Sequence, residues 1–178
     1  MLQKLSKCYP PILELIPIFL LVLVIYTAVN NYPILPDMIP THFDSQGVPD
    51  GWEGKNWVFF YAGLSTFTYL LLTVLNVLFA TVKNPMSLIN IPKQWKDSLE
   101  APQIEELRVI LNRYLFMLKI VIQGILSYLL YISIQIVFDR ASTLGTPFYL
   151  LILAILIIAI LMVWSSYRIS RKPVYNIT

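Results

Sequence analysis

Long apolar runs alternate with short polar stretches along this chain. The runs cover residues 12–29, broken only by Glu14 and Pro17, then 57–82, 114–138 and 148–167. At a rise of about 1.5 Å per residue, each can cross a hydrocarbon layer of about 30 Å. The second and third are longer than a crossing needs, so they should tilt or project into the headgroups. The pattern predicts an all-α membrane protein, a single membrane domain over residues 1–178 with four transmembrane helices. Lys4 and Lys7 ahead of the first run resemble the basic region of a signal peptide. However, the apolar segment is long, and the AVNNY that follows it is a poor small-residue cleavage site, so the helix is read as retained.

Composition agrees with this pattern. Hydrophobic residues make up 57% of the chain and charged residues 13%, with a mean hydropathy of +0.69. A soluble domain carries about 25% charged residues. The lipid bilayer is therefore the first partner. Nucleic acid is not expected as a partner, because the net charge is only +3, the basic residues are scattered and no recognition motif accompanies them. Cys8 is the single cysteine, which excludes an internal disulfide. Its place before the first run makes palmitoylation conceivable, with an ordinary interfacial cysteine the simpler reading.

Basic residues set the orientation. Lys4, Lys7, Lys83, Lys93, Lys96, Arg108, Arg113, Arg168, Arg171 and Lys172 fall on one side of the predicted spans. Only Lys55 and Arg140 fall on the other, and Lys119 lies within a span. By the positive-inside rule both termini and the 83–113 loop are cytoplasmic, and the 30–56 loop faces outward. Trp52, Trp57 and Trp164 sit near span ends, as interfacial anchors do.

The spans also carry polar groups. Glu14 and Lys119 lie at comparable depth near the cytoplasmic end and have opposite sign. A charge at the bilayer centre costs at least about 2.5–3.5 kcal/mol on insertion scales. Two readings follow: an ion pair facing the bundle interior, or two side chains that snorkel separately. Lys119, Gln123, Ser127, Tyr131 and Gln135 form an i, i+4 ridge on span three, and span two offers Tyr61, Ser65, Thr66, Thr68, Tyr69, Thr73 and Asn76. Interhelical hydrogen bonding explains them more simply than a polar pathway does. Span four is almost uniformly apolar and is expected on the outside of the bundle.

The 83–113 loop mixes Pro85, Pro92 and Pro102 with a charged helical pattern. Pro102 near a helix start, Glu105 and Glu106 in its first turns, and Ile104, Leu107, Ile110 and Leu111 at helical spacing predict an amphipathic helix that runs into span three. Trp95 and Leu99 are placed at the lipid interface just before it.

The outward loop is the chemically dense part. Residues 35–55 read LPDMIPTHFDSQGVPDGWEGK and hold the only histidine. Pro33, Pro36, Pro40 and Pro49 fix φ and extend their neighbours, and SQG and PDG are turn signals. These features predict an ordered, turn-rich cap seated on the bundle mouth by Ile34, Leu35, Ile39, Phe43 and Val48. His42 with Asp37, Asp44, Asp50 and Glu53 is a loose set for a metal, since zinc sites hold more nitrogen or sulfur ligands. A histidine hydrogen-bonded within the cap is preferred, and no cofactor or catalytic residue is assigned.

Leu35, Pro36, Ile39, Pro40, His42, Phe43, Gly47, Pro49, Asp50, Trp52 and Lys55 fit the pattern LPxxIPxHFxxxGxPDxWxxK. By these residues the segment resembles the SdpI-like integral membrane proteins. Asn84, Pro85 and the later LNRYLFMLK extend the resemblance to about residues 10–125, with a two-helix unit over about 10–82. The family includes an immunity protein that protects a bacterium from a secreted peptide toxin and holds a transcriptional repressor at the membrane. The resemblance therefore implies a non-enzymatic protein of a prokaryotic cytoplasmic membrane. Its ligand would be met by Asp37, His42, Phe43, Asp44, Asp50, Trp52 and Lys55, and its partner would be an extracellular peptide or a cytoplasmic regulator. Glu14, Lys119, Gln123 and Asn76 form the intramembrane polar set. The competing readings are a structural subunit of a larger membrane complex or transporter and, lower, a metal-dependent membrane enzyme.

Overall fold

The computed structural model describes residues 2–89 and 96–171. Pro92, Lys93, Trp95 and Lys172 lie outside the described residues, and the interfacial placement expected of Trp95 falls among them.

A short helix α1 (Leu2–Cys8) leads through a 3-10 turn (Pro11–Glu14) into α2 (Leu15–Asn31). A second 3-10 turn (Tyr32–Ile34) precedes strands β1 (Met38–Phe43) and β2 (Pro49–Gly54). Then come α3 (Trp57–Thr81), a 3-10 turn (Pro85–Leu88), α4 (Ala101–Val137) and α5 (Gly145–Ser170). Four helical segments are long and apolar enough to cross a membrane: Pro11–Ile34, Trp57–Thr81, Ala101–Val137 and Gly145–Ser170. The chain is a multi-pass integral membrane protein. Its large apolar residues on α2 and α5, such as Phe19 and Ile160, face outward to lipid.

The core is organised around α4, which packs against α2, α3 and α5 and buries more of its apolar window than any other span. Its 37 residues give about 55 Å, well beyond about 30 Å of hydrocarbon. The excess is the amphipathic stretch, continuous with the span as its periodicity predicts. Glu100 and Gln103 close a reciprocal capping box at its start, and a proline occupies the first turn, where a missing N–H costs nothing. The outermost position expected of the fourth span holds, since α5 is the least buried of the four.

Leu99 differs from expectation. It packs with Met86, Leu107 and Ile169 and is buried, so it fills a protein cluster rather than the lipid interface. The returning C-terminal end of α5 supplies Ile169, a contact that no local pattern encodes.

The cap is more regular than a set of turns. β1 and β2 form a two-stranded antiparallel hairpin, a small β element beside the helices, with Ile39 opposite Glu53 and Pro40 opposite Trp52. Prolines are compatible with this ribbon because each of its strands is an edge strand with one unpaired side. The ladder is irregular around His42.

The hairpin is keyed into the bundle. Leu35 and Ile39 join a cluster with Val24 and Ala28 of α2, Val58 and Tyr61 of α3, and Leu130 and Ile134 of α4. At the hairpin tip, Leu144 N–H donates to the Gly47 carbonyl over 2.8 Å. Gly47 has φ +77°, and a Cβ there would meet Tyr149 Oη at 2.9 Å and Leu144 Cβ at 3.1 Å. Gly47→Ala is therefore expected to destabilise the protein by about 1–2 kcal/mol, the cost of a left-handed residue with a side chain, plus the displacement of the 138–145 turn. Reversible unfolding in mixed micelles measures this, and a variant as stable as the parent would show that the tip does not constrain the turn.

Candidate functional site

Two groups of polar residues stand out: the hairpin cap and a seam through the bundle. In the cap, Asp44 closes the hairpin. Its Oδ1 accepts from Gln46 N–H at 2.8 Å and Val48 N–H at 2.9 Å, an Asx turn that pre-sets the reversal. Phe43 packs on the Ile132, Ile136 and Leu144 cluster and fixes the hairpin to α4. Lys55 ties the base. Its backbone N–H donates to the Asp37 carbonyl at 2.9 Å, and its ammonium donates to the Leu35 carbonyl at 3.5 Å and lies 5.3 Å from the Tyr32 ring centre. Its contact with the Asp37 carboxylate, at 3.9 Å, is loose, and Asp37 projects into the open.

Three candidates are presented rather than consumed. His42 Nδ1 and Asp50 Oδ1 are 2.5 Å apart, with side chains 74% and 46% exposed. This is the histidine bonded within the cap that the sequence favoured. Gly51 lies opposite His42, and a Cβ there would come within 2.8 Å of His42 Cβ, so the glycine leaves the imidazole its place. Trp52 is 46% exposed on the same strand as Asp50. Met38 and Val48 add exposed apolar surface at the two ends of the hairpin. Among the described residues no group of three or more His, Cys, Asp or Glu side chains is placed to hold a metal ion.

The seam runs down the inner face of α4. Lys119, fully buried, donates to Glu14 Oε1 at 2.7 Å and Oε2 at 2.9 Å, and to Thr73 Oγ1 at 3.3 Å. Of the two readings of Glu14 and Lys119, the ion pair is the one observed. One turn along, Gln123 Nε2 donates to the Ser65 carbonyl at 2.9 Å and to Thr68 Oγ1 at 3.1 Å, while its Oε1 accepts from Ser65 Oγ. Two turns before Lys119, Asn76 Nδ2 donates to Asn112 Oδ1 and Asn112 Nδ2 donates to the Asn76 carbonyl, both at 2.8 Å. Of the remaining ridge residues, Ser127 donates to the Gln123 carbonyl at 2.7 Å, and Tyr131 turns outward.

Sequence reasoning overlooked several of these partners. Tyr9 donates to Glu14 Oε1 from outside the spans. Burial first, then the bond to Glu14, holds its hydroxyl above the usual tyrosine range. Asn112 was legible as the residue seven before Lys119, on the same face. Arg108, counted only as a loop charge, donates to the Phe79 and Val82 carbonyls and so satisfies the C-terminal end of α3. Arg113 Nε donates to the Cys8 carbonyl at 2.6 Å. Cys8 itself is buried with Phe116 and Ala80, which removes it from the surface that acylation requires, and burial raises its thiol pKa.

Residues 18–66 match the model of a family described as a domain of unknown function, DUF1648. The matched stretch contains most of α2, the whole cap and the first turns of α3. No curated protein and no solved structure matches the chain.

Lys119→Met should cost about 3–5 kcal/mol, because it leaves the Glu14 carboxylate in the bundle without its cation. Pairing it with Glu14→Leu should recover a large part of that loss. A double-mutant cycle on unfolding free energies measures the coupling, and additive losses would show that the pair acts as two independent groups. For Cys8, the raised pKa and burial predict maleimide labelling that is slow in the folded protein and fast in denaturing detergent; equal rates would contradict its packing.

Proposed function

We propose that this chain is a non-enzymatic, SdpI-like binding protein of a prokaryotic cytoplasmic membrane, serving toxin-peptide immunity or signal sensing through its outer cap. The observation that carries this reading is a hairpin closed by Asp44 and packed onto the bundle by Phe43, Leu35 and Ile39 while His42, Asp50 and Trp52 stay exposed. A preordered surface of this kind meets a ligand without a large ordering cost. An exposed aromatic beside a hydrogen-bonded imidazole and carboxylate suits an extended peptide with apolar and basic side chains. The basic residues clustered at the end carrying both termini support an outward-facing cap. The family match over the cap is consistent with this reading without specifying the role.

A subunit role in a larger complex would be favoured by a polar ridge on α4 turned toward a partner. Lys119 and Gln123 are instead buried within the chain, so the ridge lends that reading no support.

Photo-crosslinking residues at Met38 and Val48 test the proposal in cells grown with secreted peptides in the medium. The cap sites should yield peptide adducts, and a lipid-facing control at Phe19 should not. Trp52→Ala should lower adduct yield roughly 30-fold, as for a residue worth about 2 kcal/mol at a binding hot spot, with membrane levels of the protein unchanged. A fall in adducts that merely follows a fall in folded protein would assign the cap a structural role.

A further inference from the structure

The cavity least accounted for by the cap or the seam lies at the opposite end of the molecule. An apolar groove of about 900 Å³ opens between α4 and the C-terminal half of α5. Val163 and Tyr167 line it from α5, Leu107 and Leu111 from α4, and Ile89 and Leu99 from the segment between α3 and α4. Along α5 the lining extends from Ala159 to Ser170, about 17 Å at a helical rise of 1.5 Å per residue. This is close to half of a hydrocarbon core about 30 Å thick, the depth of one leaflet.

Two cations stand beside the groove. Trp164 and Tyr167 line it, and each carries an arginine on its ring: Arg168 at 4.9 Å from the Trp164 centroid and Arg171 at 4.6 Å from that of Tyr167. Both arginines are exposed, and among the described residues neither is salt-bridged to an acid. Stacking on a ring holds a guanidinium in place while leaving its N–H fork for a phosphate. Two aromatic-stacked arginines at the polar end of a leaflet-deep apolar slot match a lipid with an acyl tail and an anionic head.

We propose that this groove is a specific site for an anionic phospholipid, with one acyl chain between α4 and α5 and its phosphate held by Arg168 and Arg171. The occupant is committed by charge and by length. A zwitterionic lipid offers the same chain, but its cation offsets the phosphate that the arginines would hold. A soluble apolar ligand would leave the arginine pair unused.

The test uses the full chain carrying Trp52→Phe, Trp57→Phe and Trp95→Phe, so that Trp164 alone reports. It is reconstituted in bilayers containing graded fractions of phosphatidylglycerol or phosphatidylcholine with brominated acyl chains. Half-maximal quenching of Trp164 should need roughly 25-fold less of the anionic lipid, about fivefold for each basic residue. Arg168→Gln with Arg171→Gln should remove that preference, and Arg168→Lys with Arg171→Lys should keep most of it. Ala159→Phe, which narrows the apolar end, should weaken quenching by both lipids while leaving helix content unchanged. Equal quenching by the two lipids in the starting chain, or a preference that survives the double glutamine variant, would overturn the proposal.

Discussion

An ammonium group shut away from water needs its counter-charge inside the protein, and Lys119 obtains it from Glu14. The rest of the bundle is arranged around that requirement. Glu14 closes the 3-10 turn that leads into α2, so the ion pair joins the first span to the middle of α4. Thr73 brings α3 to the same ammonium, and Tyr9 brings the segment before the first span to the same carboxylate. Four parts of the chain therefore converge on two charges. In hydrocarbon the alternatives to such pairing are unpaired charge or water defects, so the pair constrains register far more than it adds net stability.

The Asn76–Asn112 and Gln123–Ser65 contacts repeat the same logic along α4 without formal charge. Lys119, Gln123 and Asn112 each answer a polar side chain on a neighbouring helix, and the spans are thereby set against one another in rotation and height. Lipid gives helices little reason to associate through apolar surface alone, which is why the polar residues sit inside and the leucines and isoleucines of α2 and α5 lie outside.

The two ends of the bundle use this frame differently. At one end Leu35, Ile39 and Phe43 seat a hairpin whose outward side chains are free to meet something else. At the other, Arg108 caps α3, Arg113 fastens α1, and the arginines of α5 rest on aromatic rings beside an apolar slot. Arginine serves all of these tasks because its planar fork can satisfy backbone carbonyls, stack on a ring and remain charged.

Much of this was legible in the residues. Four apolar runs of bilayer length, the amphipathic start of α4 and the order of the cap prolines specify spans, loops and a rigid segment, because hydropathy and proline geometry act over a few neighbouring residues. Other features were decided only in three dimensions. The sequence shows Glu14 and Lys119 at similar depth, but only the packing of α2 on α4 turns them toward each other. It shows turns in the cap, but the ladder between β1 and β2 depends on residues six to sixteen apart finding their register. It marks His42 and Asp44 as polar residues two positions apart, yet the fold gives Asp44 to the turn and pairs His42 with Asp50. Leu99 looked interfacial until Ile169 arrived from the far end of the chain. Which segments enter lipid follows from the residues alone, because it depends on the transfer free energy of each segment. The tertiary structure decided which polar groups meet, because that depends on the relative rotation of helices that lie far apart in the chain.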